Sequence, residues 1–527
     1  MAAAPHTPVD ISGAMIEVPV AAHDWLIIAP VVLPILAGAL LLMLRKNTGW
    51  QAVLANTVLG ILLVCCAGLL DLVWNEGPQT MTMGRWLPPF GISFSVDLTG
   101  AILALTGSFV AFACGIYAAN DIDQTRLRYG FYSFLMLMVA GVNGAFLTGD
   151  VFNLYVWFEV LLISSFGLII LGSERAQLDG ALKYAFLNLI ATTLFLIATG
   201  YLYGTFGTLN MADITRKIST MPDSGPVMTI AALYLFAFAM KAAAFPLNFW
   251  LPSSYHTPRL VVSALFAGLL TKVGIYALLR VMVMIFAAER AELAFIIAVI
   301  AAATMIFGVL GALAQSDIRR LMGFLVVSGI GSMLAGIALS GELGLSGTLF
   351  YAVHSMVVMA GLYLAAGIIV RTSGEHDMRK LGGHYSASPL FAAGFVVLAL
   401  AVSGLPPFSG FWPKLMIVRG AIAGGAEWLA AAILLTGLLT SIAIVRVWAF
   451  AFWRGGPEGA RDGAESWKLT PIAENAALPI HASFALLVVA SLWLGLFPET
   501  LASAVLDAAR GLANPDGYIG SVFGDVQ

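Results

Sequence analysis

A chain of 527 residues that is 60% hydrophobic and 10% charged, with a formal charge of −3 and a mean hydropathy of +0.93, is not built around a single soluble core. It belongs to an all-α polytopic membrane protein in a lipid bilayer, with no role in binding nucleic acid. Cys65, Cys66 and Cys114 lie in apolar segments without CxxC or Cys/His spacing, which removes disulfide frameworks, iron–sulfur sites and structural zinc. The sequence has no GxGxxG at a strand–helix junction and no Walker A motif, and His354 is the only histidine deep in a span. No cofactor is therefore expected, and any redox chemistry or ATP hydrolysis linked to this chain would take place on another subunit.

The first 25 residues carry Asp10, Glu17 and Asp24 but no Lys or Arg, the wrong start for a secretory signal, so the first span is expected to be retained. Apolar runs of about 18 residues or more give about fourteen transmembrane helices. They are placed near 26–44, 52–74, 94–118, 130–148, 150–171, 180–204, 226–248, 258–283, 292–314, 320–340, 344–370, 390–418, 427–453 and 481–506. Gly149-Asp150 is the only polar break within 130–171. Asp97 and Asp150 open spans as caps. Trp25, Trp74, Trp86 and Trp250 sit at span ends and read as interfacial belts.

Fifteen Lys and Arg residues fall in the loops of one side, among them Arg126, Arg259, Arg319, Arg371, Arg461 and Lys468. Seven fall on the other side, Arg280 among them, and four lie inside spans: Lys241, Lys272, Lys414 and Arg446. The positive-inside rule then puts both termini outside.

A charge at the bilayer centre costs about 2.5–3.5 kcal/mol on insertion scales, so buried ionisable residues point to ion or proton traffic. Glu159 lies nine residues after Asp150, about 14 Å into the membrane at 1.5 Å per residue and close to its midplane. It reads as a functional carboxylate or as a structural ion pair, and Lys241 is its natural partner. Moving the carboxylate's charge against that lysine would load or release a proton. Lys272, thirteen residues past Arg259, is too deep to snorkel to that interface. His354 can be a proton relay or a core histidine bonded to a carbonyl. Lys414 can be buried by the breaks before it or snorkel from the end of its span, and Arg446 reads as an anchor.

Two spans carry helix breakers near a lysine. Pro246 and Pro252 follow Lys241 in the seventh; Gly404, Pro406-Pro407, Gly410 and Pro413 precede Lys414 in the twelfth. A proline within a helix frees backbone carbonyls that protein or water must satisfy in lipid. Interrupted helices at matching places indicate a transporter core of repeats. The 173 residues from Lys241 to Lys414 nearly equal the 174 from Lys272 to Arg446, which suggests two five-helix repeats. The divisions are 1–129 for helices one to three, 130–283 for the first repeat, 284–454 for the second, and 455–527 for a loop and helix fourteen.

The stretches TGDVFNLYVWFEVLLISSFGLI, MKAAAFPLNFWLPSSYHTP, SALFAGLLTKVGIYALLR and SGLPPFSGFWPKL resemble the antiporter-like subunits of respiratory complex I and of the Mrp cation/proton antiporters. The similarity runs from about the third to the thirteenth span. GDVFNLYVWFEVLLISSFGL, the lysine at 414 and the chain length look most like the D-type subunits of the Mrp group. The resemblance implies inverted repeats with broken helices seven and twelve, and a polar axis along the midplane. It matches Glu159 and Lys241 to the family's glutamate/lysine pair, Lys272 to its bridging lysine and Lys414 to its terminal lysine. A glutamate is expected at 414 in the complex I M chain, and the L chain has a longer C-terminal arm. Met359 stands where many relatives have a lysine, so His354, hydroxyls such as Ser328, Ser332 and Ser355, or water would have to bridge from Lys272 to Lys414.

The function expected is a subunit of a Na+/H+ antiporter in a prokaryotic plasma membrane, working with a larger antiporter-like subunit and several small membrane subunits. Protons would move along Glu159, Lys241, Lys272, His354 and Lys414, and no metal site is assigned. The alternatives are the proton-pumping arm of a quinone oxidoreductase or membrane hydrogenase, and an inactive scaffold paralogue.

Overall fold

The computed structural model describes residues 14–16, 20–220, 225–339, 341–456 and 469–524. Asp10, Glu17, Arg461 and Lys468 lie outside the described residues. The chain begins with α1 (Trp25–Met43) and α2 (Thr48–Glu76). A two-stranded antiparallel ribbon, β1 (Gln79–Thr82) and β2 (Ser93–Val96), follows, an element the apolar pattern does not reveal. Next come α3 (Leu98–Asp121), the short α4 (Gln124–Arg128), α5 (Phe131–Leu147) and α6 (Val151–Ile170). The Gly149-Asp150 break therefore separates two helices as expected. α7 (Arg175–Phe206), α8 (Met211–Thr220), α9 (Gly225–Ala242) and α10 (Trp250–Tyr255) complete the first half. α11 (Leu260–Ile285) leads to α12 (Ala287–Ala314), α13 (Ile318–Leu339) and α14 (Glu342–Ser373). α15 (Pro389–Ser403), α16 (Phe411–Ala423) and α17 (Glu427–Trp453) are followed by α18 (Glu474–Leu496), α19 (Glu499–Ala513) and α20 (Asp516–Phe523).

Among the described residues, eleven helices are long and apolar enough to cross a membrane, and α5, α9 and α15 supply shorter apolar segments. The aspartates act as caps: Asp97, Asp123 and Asp150 accept from the backbone N–H of Gly100, Arg126 and Asn153. Each satisfies an N–H that a helix start leaves without a partner. α11, α13 and α14 form the interior, with 94–100% of their apolar windows buried against 28–44% for α1, α2, α7 and α12. The helices carrying Lys272 and His354 are thus central.

The last expected span, 481–506, is shifted. α18 stops at Leu496, Pro498 interrupts the chain, and α19 is a separate amphipathic helix packed on α14 and α3. Proline cannot continue the backbone ladder, and Asp507 and Arg510 need a polar face. The first and last described residues meet the same end of the bundle. Ile16 N–H donates to Arg85 O at 2.7 Å, while α20 packs on β1 and β2 with Thr80 Oγ1 2.9 Å from Ser521 Oγ.

The two breaks lie where the prolines suggest. α9 ends before Ala243 (φ 63°) and α10 opens at Trp250; α15 ends before Gly404 (φ 83°) and α16 opens at Phe411. Lys241, however, precedes its break and Lys414 follows its own. The 173-residue spacing of the lysines therefore does not mark equivalent positions, because either half-helix can deliver a lysine to a break. Trp250 is a second correction: it is 1% exposed and donates Nε1–H to Met240 O at 3.1 Å, capping the first half-helix. Trp25, Trp74 and Trp86 are exposed, as belts require.

Small residues bring α12 and α13 together. A Cβ at Gly308 would lie 2.5 Å from Ser328 N, and one at Gly331 2.6 Å from Ala301 O. Close backbone approach of this kind holds apolar helices together in lipid. Gly308→Val and Gly331→Val should each destabilise the fold by roughly 1–3 kcal/mol through overpacking. Thermal melts in detergent read by size exclusion check this, with Gly200→Ala, which meets nothing within 4 Å, leaving the midpoint unchanged.

Candidate functional site

Lys241 lies in the last turn of α9 and is 5% exposed. Its ammonium donates to Thr192 Oγ1 of α7 at 3.1 Å and sits 4.7 Å from the centre of the Phe158 ring of α6. Glu159 follows Phe158 on the same helix and is half-buried. The expected contact pair is nonetheless apart: among the described residues no carboxylate lies within the 4.0 Å ion-pair limit of Lys241, Lys272 or Lys414. The helical repeat explains it, since adjacent residues of α6 point about 100° apart and Phe158 takes the inward direction. A cavity of about 10 Å³, bounded by Asn188, Tyr184, Lys241, Trp250 and Leu270, leaves space for about one water. Leu270 belongs to α11, so this cavity joins the Lys241 site to the helix of Lys272.

Lys272 is 1% exposed and owes its place to a distortion of α11. Residues Phe266–Leu270 form a π-helical turn, and Lys272 Nζ donates to Ala267 O at 2.5 Å. A π-turn takes a carbonyl out of the regular ladder, and the lysine takes up the freed acceptor. α14 approaches this turn closely, since a Cβ at Gly268 would lie 3.2 Å from Met356 O.

His354, on α14 and 1% exposed, places Nδ1 2.8 Å from Ser409 Oγ, which lies 3.0 Å from Ser491 Oγ of α18. Ser409 sits in the second helix break, and a Cβ at the neighbouring Gly410 would come 3.0 Å from His354 Nε2. Of the hydroxyls expected to bridge past Met359, Ser328 and Ser332 turn instead to Met305 O and Sδ, at 3.2 and 3.5 Å. Met359 is 2% exposed and apolar, and Ser355 is buried beside His354 in sequence. Ser409 and Ser491 are the hydroxyls the fold delivers, and only the break sequence SGLPPFSG hints at the first.

Lys414 Nζ donates to Ser403 O at 2.8 Å and Val402 O at 3.3 Å, the carbonyls at the end of α15. A side chain at Gly404 would strike it, with a Cβ 2.9 Å from Nζ. Lys414 therefore bonds within the break, and its aliphatic stem borders a cavity of about 280 Å³ between α16 and α17. Arg446 is an anchor, though through carbonyls: its guanidinium donates to Leu313 O and, at 3.5 Å, to Gln315 O, closing the end of α12.

Arg280, expected in a loop, is instead fully buried in a second π-helical stretch, Leu279–Ile285, and paired with Asp97. Thr192, as the acceptor for Lys241, is also invisible in an apolar run. At the opposite end of α11, Arg126, Arg259, Arg319 and Arg371 meet Asp121 and Asp123 around a cavity of about 620 Å³. Partial burial raises the carboxyl of Asp123, but hydrogen bonds from the Arg126 backbone and side chain and the Arg126 and Arg259 charges outweigh it and hold it below its usual range.

Thr192 is the one hydrogen-bond acceptor of the Lys241 ammonium among the described residues. A hydrogen bond to a charged group contributes about 1.5–3 kcal/mol. Thr192→Val should lower stability by about that amount and Thr192→Ser should not, as read by detergent thermal melts.

A profile of the family described as NADH:quinone oxidoreductase/Mrp antiporter, TM, matches residues 148–440, which include Glu159 and all three buried lysines. The chain is 37% identical over 499 residues to the D-type subunit of the Na(+)/H(+) antiporter of Alkalihalophilus pseudofirmus, covering 94% of this chain and 99% of that protein. It is 36% identical over 497 residues to the D-type subunit of the Na(+)/H(+) antiporter of Bacillus subtilis, with the same coverage of 94% and 99%. Its fold matches a chain of the Mrp complex from Dietzia sp. DQ12-45-1b with a TM-score of 0.87 and 29% identity, over 96% of this chain and 100% of that one. With the family profile spanning the broken helices and the buried lysines and the relatives matching nearly the whole chain, the chain belongs to the NADH:quinone oxidoreductase/Mrp antiporter membrane family, in the group of D-type Na(+)/H(+) antiporter subunits.

Proposed function

We propose that this chain is the D-type subunit of a multisubunit Na+/H+ antiporter and that it carries protons along Glu159, Lys241, Lys272, His354 and Lys414. It would sit as a multi-pass protein in a prokaryotic plasma membrane, both termini outside, beside a larger antiporter-like subunit and several small membrane subunits. The observation that carries the proton path is that each buried lysine rests on a neutral oxygen: Thr192 Oγ1, Ala267 O or Ser403 O. Such an ammonium can give up its proton without stranding a buried counter-charge, which a tight ion pair would prevent. Glu159, half-buried beside Phe158, supplies the moving partner: turning toward Lys241 favours the charged lysine, and turning away releases it. His354 and Ser409 then link this half to Lys414. The arginine-lined cavity at the end away from the described termini supports a cytoplasmic position for that end under the positive-inside rule.

We read the chain as a secondary-transport subunit without enzymatic activity of its own. Purification from native membranes in mild detergent distinguishes this from the redox-driven reading: small integral partners and one larger antiporter-like protein are expected, and a flavin and iron–sulfur arm would overturn it.

Lys241→Ala and Glu159→Ala should each reduce Na+/H+ exchange at least tenfold in everted vesicles while the complex still assembles. Normal exchange in both variants would sink the path.

A further inference from the structure

Lys241 has unlike neighbours on its two sides. α9 and α7 lie antiparallel there, and three side chains of each meet in register. Lys241 Nζ donates to Thr192 Oγ1 at 3.1 Å. Three residues back along α9, the Phe238 ring meets the Phe195 ring edge to face, with centres 4.8 Å apart. Four residues further back, Tyr234 Oη lies 3.0 Å from Thr199 Oγ1. The pairing follows from spacing: Tyr234, Phe238 and Lys241 fall at i, i+4 and i+7 on one face of α9, and Thr192, Phe195 and Thr199 at i, i+3 and i+7 on one face of α7. The result is a ladder whose end rungs are polar and whose middle rung is aromatic, spanning about 10 Å along α9 at 1.5 Å per residue.

α6 closes a third side of the middle rung. The Phe158 ring centre lies 5.9 Å from that of Phe195 and 6.0 Å from that of Phe238, and Tyr155 lies 5.7 Å from Phe195. Phe195 and Phe238 are both 0% exposed. A phenyl ring has no group that donates or accepts a proton, and a constriction of apolar side chains excludes water. On one side of the rings lies Lys241 with its small cavity beside Asn188 and Tyr184. On the other side the Tyr234–Thr199 pair lies toward the end of the bundle where α6 opens at Asp150 and Asn210 Nδ2 donates to Ser93 Oγ of the ribbon at 3.0 Å. Apolar helices pack in lipid without hydroxyls, so Thr192, Thr199 and Tyr234 mark a buried polar seam, and two rings are what interrupts it.

We propose that Phe195 and Phe238 are coupling-determining residues of the antiporter, a fixed seal that denies Lys241 proton exchange with the Tyr234–Thr199 side. This rests on the proton path proposed above, since a seal matters only where the lysine carries protons. The rings need not move. A hydroxyl in place of one of them would join Thr192 to Thr199, and a proton could then cross without Na+.

The test uses the whole complex in proteoliposomes and reads proton leak, the decay of an imposed pH gradient in Na+-free medium at zero membrane potential. Phe195→Thr puts a hydroxyl between those of Thr192 and Thr199 and should speed the decay at least tenfold. Phe195→Leu, which stays apolar, should keep the wild-type rate. An assembled Phe195→Thr complex that holds the gradient as the wild type does would overturn the seal, and so would equal leaks from the two variants, which would reduce the rings to packing. Should Phe195→Thr fail to assemble, Phe238→Thr tests the same rung from α9, with a tight complex again overturning it. Adding Lys241→Ala to Phe195→Thr should abolish the leak, and a leak that persists would show that the rings do not seal Lys241. Lys241→Ala alone separates the two readings: normal Na+/H+ exchange there removes the proton path, whereas its loss beside a tight Phe195→Thr complex removes only the seal.

Discussion

In a membrane interior every backbone carbonyl released from a helix has to find a donor, and in this protein several of the donors are its buried cations. The π-turn of α11 frees Ala267 O, and Lys272 takes it. The end of α15 frees Val402 O and Ser403 O, and Lys414 takes both. Arg446 does the same for the end of α12. At the first break the acceptor Met240 O is taken by the Trp250 indole instead, which leaves Lys241 free to reach across to α7. Unsatisfied groups of this kind cost several kcal/mol each in hydrocarbon. The distorted helices and the buried charges therefore stabilise each other, and neither would persist alone.

That mutual dependence explains which features can be read in the sequence. Prolines and glycines near Lys241 and Lys414 announce the breaks, because ring closure and positive φ act locally. Asp97 and Asp150 announce caps for the same reason. The partners of the cations are not legible, since a side chain's direction on an apolar helix leaves no mark in hydropathy. Phe158 faces inward and Glu159 only partly so, although the two are adjacent and equally embedded in an apolar run. Arg280 reads as a loop residue because a charge near the end of a span is ordinarily solvated; here α3 and α20, distant in sequence, close over it. Trp250 misleads by the same local logic, being at a helix start that lies inside the protein. The end of the final span is hidden because Pro498 divides two helices whose combined hydropathy looks continuous.

The two ends of α11 differ in a way that suits directional traffic. At the end near Arg259, a cavity of about 620 Å³ opens among arginines and aspartates. At the end near Arg280, the charge pair is enclosed by aromatic rings. The lysine between them is bonded to its own helix rather than to either end.

Met359 raises the question of how the first half communicates with the second when α14 carries no lysine between Lys272 and Lys414. Continuity of hydrogen bonds is not required. His354 stands on the central helix α14, and Ser409 fixes its ring, Oγ lying 2.8 Å from Nδ1. Two unit charges about 10 Å apart at an effective dielectric near 20 interact by about 1.7 kcal/mol, more than a tenfold change in occupancy. On the proposed path, a proton gained at Lys272 would therefore weigh against one at His354 or Lys414 through space. An apolar residue at 359 strengthens that influence, because water or a polar side chain there would screen it. On the proposed path the halves would be coupled by repulsion: loading one would disfavour the other, and a proton would move on when the field from its neighbour changes.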